Sequence, residues 1–328
     1  MSELLYGSLV VLSEFLFPMQ SVLLKSYKYN TLIMTFLLAL INSIVFFSII
    51  FYYITYNNIS FSFIDFYTNK LSLILQFAGF YFLIMVAYTF PVIPASISVP
   101  MFALWPVFLD LLSKEFYGIN ITTGQYVSFI VVLVGVLVIS YSPIKIKNQF
   151  SFINILLLIS GIFSLSFVYS LLSAVEYSEE IKKNNILKSS CDITLYTTIG
   201  PLLGVLLLIG GSQLFNKKDL PSLLKITKYP GIKDALFIMV GYFFTASLFN
   251  ILNVTGYDNL PTTTYAVLDN TSVIASMIIG YIFLKEKISY QKIAGAIVVI
   301  LGIGINIYYR NTKNDKMVLK AFYKKWLT

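Results

Sequence analysis

Ten stretches of about twenty mostly apolar residues recur along the chain, at 4–24, 31–54, 71–90, 94–113, 123–141, 152–174, 193–214, 233–253, 261–284 and 290–309. A helix of about 20 apolar residues spans the hydrocarbon core of a bilayer. Backbone in lipid must satisfy its own hydrogen bonds, which a helix does within one segment. The pattern therefore predicts an all-α polytopic membrane protein with ten transmembrane helices. Composition agrees: 58% of the 328 residues are hydrophobic and 12% are charged, and the mean hydropathy is +0.81. A soluble domain carries about 25% charged residues. The segments 55–70, 175–192 and 215–232 read as polar loops, and 310–328 as a basic C-terminal tail, leaving no room for a soluble domain.

Residue usage removes whole classes of chemistry. There is no histidine, and Cys191 is the one cysteine. A His-based zinc or haem site, a Cys–His nucleophile and an intrachain disulfide are all excluded. No Gly-x4-Gly-Lys-Ser/Thr phosphate loop occurs, so nothing points to ATP-driven pumping. Tyr257-Asp258 matches half of an intramembrane aspartyl protease motif, but the Gly-x-Gly-Asp half that would supply a second carboxylate is missing. An enzyme is not expected, nor a cofactor or a metal. The net charge of +8 reads as loop charge and not as a nucleic-acid patch. It does not orient the chain, because the two sides carry eleven and twelve Lys or Arg.

The two halves of the span pattern carry similar phrases. Gly79-Phe80-Tyr81-Phe82, Tyr88, Pro94, Lys114-Glu115, Ser128 and Gly135 in the first parallel Gly241-Tyr242-Phe243-Phe244, Tyr257, Pro261, Lys285-Glu286, Gly295 and Gly302 in the second. Two homologous units of five spans each must cross the bilayer in opposite senses, because five is odd. The chain thus divides into repeats at 1–149 and 150–309 with inverted topology, a common plan of secondary transporters. Gly135, Gly295 and Gly302 read as helix-packing positions, since helices in lipid associate where small residues let backbones approach. Ala294 and Gly304 widen the same region.

The run from Leu284 to Ile303, with Lys285-Glu286 followed by a helix bearing Gly295 and Gly302, resembles the end of an EamA-type unit of the drug/metabolite transporter superfamily. Such units carry Leu-Gly-Glu, a short turn, and an apolar helix with glycines seven apart. Lys285 stands where the family usually has glycine. The first half is more divergent. The resemblance implies a ten-helix transporter with a central substrate cavity between the halves, and leaves the substrate open.

Ionisable and amide side chains at membrane depth are costly, and mark pathways or partners. Glu14 lies midway along the first stretch, with Pro18 and Gln20 after it. A carboxyl buried there can bind and release a proton, which suits proton-coupled transport. Asp269 with Asn270 is the second candidate. Prolines 94, 100 and 106 interrupt the fourth stretch, and irregular backbone at that depth belongs against protein or a cavity. The fourth stretch is therefore expected to line the cavity. Tyr88, Trp105, Asn250, Asn253 and Tyr265 complete the substrate- or proton-binding candidates. Asp110 is expected near the interface, and Glu115 and Glu286 at span ends in helix caps or surface ion pairs.

Together these features predict a multi-pass protein that moves a small-molecule substrate across a lipid bilayer by alternating access. Its membrane is the cell membrane in a prokaryote, and a homodimer is compatible with the plan. The competing reading is a non-transporting membrane scaffold or receptor-like protein on the same fold.

Overall fold

The computed structural model describes residues 3–27, 29–117, 120–140, 152–172, 178–214, 226, 228–260 and 268–309. The basic tail and Tyr265 lie outside the described residues. The long helices are α1 (Glu3–Ser26), α2 (Thr31–Asn57), α4 (Lys70–Thr89), α7 (Thr123–Ser140) and α8 (Phe152–Leu172), separated in the first half by the short α3 (Phe63–Thr68), α5 (Ala95–Ser98) and α6 (Trp105–Tyr117). In the second half come α9 (Glu179–Lys183), α10 (Asn185–Thr197), α11 (Ile199–Leu214), α12 (Ile232–Tyr242), α13 (Phe249–Asn259), α14 (Thr271–Leu284) and α15 (Tyr290–Tyr309). A 3-10 turn at Pro100–Leu104 joins α5 to α6, and a π-helical turn at Phe243–Leu248 joins α12 to α13.

The chain is an all-α polytopic membrane protein. Among the described residues, eight helical runs are long and apolar enough to cross a membrane, and α7 and α14 are shorter apolar helices in the fifth and ninth stretches. Leu4, Phe77, Leu207 and Ile232 are each more than 70% exposed, which a water-facing surface would not tolerate at this density. Lipid satisfies them.

The reading of the polar segments changes in one place. Segment 175–192 is not simply a polar loop. Ser178 caps α9 through the Ile181 amide, Asn184 caps α10 through the Leu187 amide, and the seventh run begins at Asn185. That run then breaks at Thr198 (φ −115°, ψ −98°). Pro201 explains the position. It has no N–H for the carbonyl of Thr197, and its ring crowds that carbonyl, so the helix stops at Thr197 and restarts at Ile199, just past Thr198.

The last long helix of each half packs on the other. A Cβ on Gly135 would lie 2.9 Å from the Gly295 carbonyl oxygen, and one on Gly302 would lie 2.9 Å from the Val132 amide. Close backbone approach explains all three glycines of the α7–α15 seam. Gly304 and Ala294 do not belong to it. Nothing lies within 4 Å of a Cβ on Gly304, and both residues are exposed. Asp110 is not at an interface with water either. It is 5% exposed and accepts from Asn306 at 3.0 Å and Gln125 at 3.2 Å. These two amides on α15 and α7 fix α6 against the seam.

Candidate functional site

A cavity of about 470 Å³ lies among α1, α2, α4, α6, α8, α10 and α13. Among its polar lining groups is Glu14, 2% exposed. Pro18, one turn later, has no N–H to give the Glu14 carbonyl, so α1 is loosened where the carboxyl sits. The Asn253 side-chain amide donates to Glu14 Oε1 at 2.7 Å and to Asp269 Oδ1 at 3.2 Å. One amide therefore holds two carboxyls from opposite ends of the chain. The Ser13 hydroxyl adds a long contact to Glu14 at 3.4 Å.

Local structure brings these groups in. The π-helical turn adds a residue to one turn of the helix and so rotates α13 relative to α12. Thr245 bonds back to the Gly241 carbonyl at 2.9 Å, and Ser247 donates to Asn42 of α2 at 2.7 Å. Past the turn, Phe249, Asn250, Asn253 and Val254 share a face of α13 and line the cavity. On the fourth stretch, Pro94 begins α5 and Pro100 begins the 3-10 turn, placing Phe102, Ala103 and Trp105 on the wall. Ser166 of α8 donates to the Trp105 carbonyl at 3.0 Å and ties this broken segment to the second half.

The walls are aromatic. Phe17 packs edge-on to Phe102 at 4.9 Å between centroids and stacks on Phe249 at 5.0 Å. Trp105 meets Tyr169 at 5.4 Å, and Tyr169 meets Tyr196 at 6.0 Å. Away from Glu14 the lining reaches Lys182, Lys188 and Asp192. Lys188 pairs with Asp192 at 3.2 Å, and the Lys182 side chain is 46% exposed, so the cavity meets the surface there.

Seven of the nine polar candidates meet in this cavity: Glu14, Gln20, Trp105, Asn250, Asn253, Asp269 and Asn270. Tyr88 does not. The cavity face of α4 carries Phe82, Leu83 and Val86, and Tyr88 is two residues beyond Val86, about 200° around the helix. Gly135, Gly295 and Gly302 stay at the seam. The Asn253 amide also joins two of these candidates directly, Glu14 and Asp269. Asn42 was missed although its signal was plain, an amide inside the apolar run 31–54. Phe17, Phe102 and Phe249 had no distinguishing signal among 28 phenylalanines.

Glu286, expected in a helix cap or a surface ion pair, meets the start of α5 and pairs with Lys25, but away from the surface. Its side chain is 11% exposed. It accepts from Lys25 Nζ at 3.0 Å, the Ala95 amide at 2.7 Å, the Ser96 amide at 3.0 Å and the Ser96 hydroxyl at 2.6 Å. Burial pushes its carboxyl up, but the Lys25 charge and the Ser96 hydrogen bonds outweigh this and hold it below the ordinary carboxylate value. Glu115 is exposed.

Comparison with known proteins agrees with this architecture. Residues 186–308 match the EamA-like transporter family. An "Uncharacterized transporter" of Archaeoglobus fulgidus is 27% identical over 210 residues, which span 64% of this chain and 65% of that relative. A solved crystal structure superposes with a TM-score of 0.55 at 12% identity, covering 93% of this chain and 96% of that one; at this identity the likeness concerns the fold alone. The second half of the chain is thus similar to the EamA-like transporter family, and about two thirds of the chain is similar to a relative named as a transporter.

Proposed function

We propose that the protein is a secondary transporter that moves a small metabolite across its membrane by alternating access. The observation that carries this reading is the cavity of about 470 Å³ with Glu14, Asn253 and Asp269 at its polar end and aromatic rings along its walls. A binding site of this kind, mostly apolar with a few convergent polar groups, has the form and size of a small-molecule site. The family match and the relative's name support transport over other uses of the fold.

Two carboxyls on one amide in a low-dielectric pocket carry a single proton at less cost than two full charges. Glu14 and Asp269 are therefore the proton- or cation-binding pair, and the cycle is proton-coupled or an exchange. Gln20, Asn42 and Asn250 supply neutral hydrogen bonds, and Trp105 a flat apolar wall. Residues 1–149 and 150–309 act as two inverted five-helix repeats that rock about this site. The working place is an integral membrane, the cell membrane in a prokaryote, in a monomer or a homodimer.

The test is a thermal-shift screen of purified protein against a metabolite panel, since a ligand bound only by the folded state raises its melting temperature. Hits are then assayed for counterflow and pH-gradient-driven uptake in proteoliposomes. Flux of any hit supports the proposal. Binding without flux favours a receptor-like or scaffold protein on the same fold.

A further inference from the structure

The cavity meets one face of the protein and is shut toward the other. Lys182, at its mouth, belongs to α9, whose Ile181 packs in a cluster with Ile50, toward the far end of α2, and Ile59 just past that end. The near end of α2 is joined to α1 by a four-residue link, beside Lys25. At 1.5 Å per residue, the two ends of α2 are roughly 40 Å apart. The mouth and Lys25 therefore lie on opposite faces.

Toward the Lys25 face the structure is packed. Phe90, Ile93, Ile97 and Met101 are fully buried. Beyond them, Glu286 gathers Lys25 of α1 and the start of α5, both from the first half, onto the link between α14 and α15. Lys292 of α15 donates to the same Ser96 hydroxyl at 2.6 Å. Tyr29 adds a second tie across the halves by donating to Asp234.

Between the cavity and this tie lie three hydroxyls that are buried without a hydrogen-bond partner: Ser21, Ser98 and Tyr242. Ser21 is next to Gln20, which lines the cavity, and precedes Lys25 by about one turn. Ser98 is two residues past Ser96 of the tie and precedes Phe102 of the cavity by about one turn. Tyr242 precedes Ala246 of the cavity by about one turn in the same way. A buried hydroxyl with no partner is costly, and such groups are rare in folded proteins. Their cost is recovered if the same groups face water in another state of the protein.

We propose that Glu286 is the latch of the closed gate, and that Ser21, Ser98 and Tyr242 line the route that hydrates when the latch releases. The proposal rests on the transport reading, of which it specifies the closed side. In the opened state Glu286 leaves the α5 N-terminus and Lys25, the packing around Phe90, Ile93, Ile97 and Met101 parts, and the cavity empties past Ser21 and Ser98.

Thiol accessibility tests this without a known substrate. In a Cys191→Ala background, Ser21→Cys, Ser98→Cys and Asn250→Cys are made singly, and their reaction rates with a small charged methanethiosulfonate are measured on the purified full chain. Adding Glu286→Gln should raise the rate at Ser21 and Ser98 about tenfold, a population shift worth about 1.4 kcal/mol. It should lower the rate at Asn250, whose mouth closes as the other opens. Lys25→Met removes one of the four donors, leaves the α5 contacts in place, and should shift the rates the same way by less; it decides the matter if Glu286→Gln does not fold. Unchanged rates at Ser21 and Ser98 overturn the latch. A parallel rise at Leu75→Cys, fully buried in the separate cluster that holds Ile181, shows general loosening and overturns it too. Rate changes as predicted in a protein without flux leave the latch standing and sink the transport reading. Flux with unchanged rates sinks the latch alone.

Discussion

Asn253 donates one side-chain amide to Glu14 at 2.7 Å, and the same nitrogen reaches Asp269 at 3.2 Å. A single neutral side chain on α13 thus sets the spacing of two carboxyls that begin on α1 and beside α14. Replacing Asn253 with Ala leaves both without this donor and lets the carboxyls separate. We expect the variant to fold with a loss of about 1 kcal/mol, as for a hydrogen bond between membrane helices. We expect it to change the pH profile of uptake and the rate at which a carbodiimide modifies Glu14. An unaltered profile and an unaltered modification rate would detach Asn253 from the site.

Filling the cavity should stop transport without unfolding the protein. Ala103 is on the wall, and Ala103→Phe places a ring in the space a substrate would use. The expected result is a melting temperature within a few degrees of the parent and loss of ligand-induced stabilisation. Ligand binding at parental affinity would place the substrate elsewhere.

Lys285 ends α14 in the left-handed region, at φ 54°, where the Glu286 amide reaches back to Gly280 at 2.9 Å. This turn aims Glu286 at α5. A side chain there costs about 1 kcal/mol or more, and glycine avoids it. Lys285→Gly should therefore raise stability by about 1 kcal/mol, seen as a higher melting temperature, and Lys285→Ala should not. Equal effects of the two substitutions would mean that the backbone at this turn is not strained.

The Glu286 contacts should resist mild acid. Its carboxyl is held below the ordinary value, with Lys25 and Lys292 facing it. A group depressed by folding contributes stability above its unfolded pKa, and that contribution is lost as pH falls through the folded one. The difference in melting temperature between the parent and Glu286→Gln should stay constant from about pH 8 to about pH 5 and shrink below about pH 4. A difference that collapses between pH 7 and 5 would place the carboxyl in a different environment.

The α7–α15 seam gives a paired test of packing. Gly135→Val must force apart backbones that a Cβ would bring to 2.7 Å from the Val299 side chain, at a cost of about 1–3 kcal/mol. Gly304→Ala meets open space and should be neutral or stabilising by up to about 1 kcal/mol. Similar melting temperatures for both variants would remove the seam.

Apolar run length made most of the helices legible, because lipid imposes that length directly. The glycine spacing made the seam legible at Gly135, Gly295 and Gly302, but spacing alone could not tell Gly304, on an outward face, from Gly302. Isolated polar residues in apolar runs pointed to Glu14, Asn253 and Asp269. Their pairing was hidden, since it depends on a π-helical turn that rotates α13 and on contacts between distant spans. The roles of Asp110 and Glu286 were hidden for a related reason. A carboxyl near a span end reads as surface until its partners, Asn306 for one and Ser96 for the other, are known from the packing.

The most direct measurement is pH-gradient-driven uptake in proteoliposomes carrying Glu14→Gln, with a ligand found by thermal shift. The variant keeps the shape of the side chain and its place beside Asn253 but cannot exchange a proton. Loss of gradient-driven accumulation with counterflow retained is the predicted result. Accumulation with the same dependence on the pH gradient as the parent would contradict the assignment of Glu14 and Asp269 as the coupling pair.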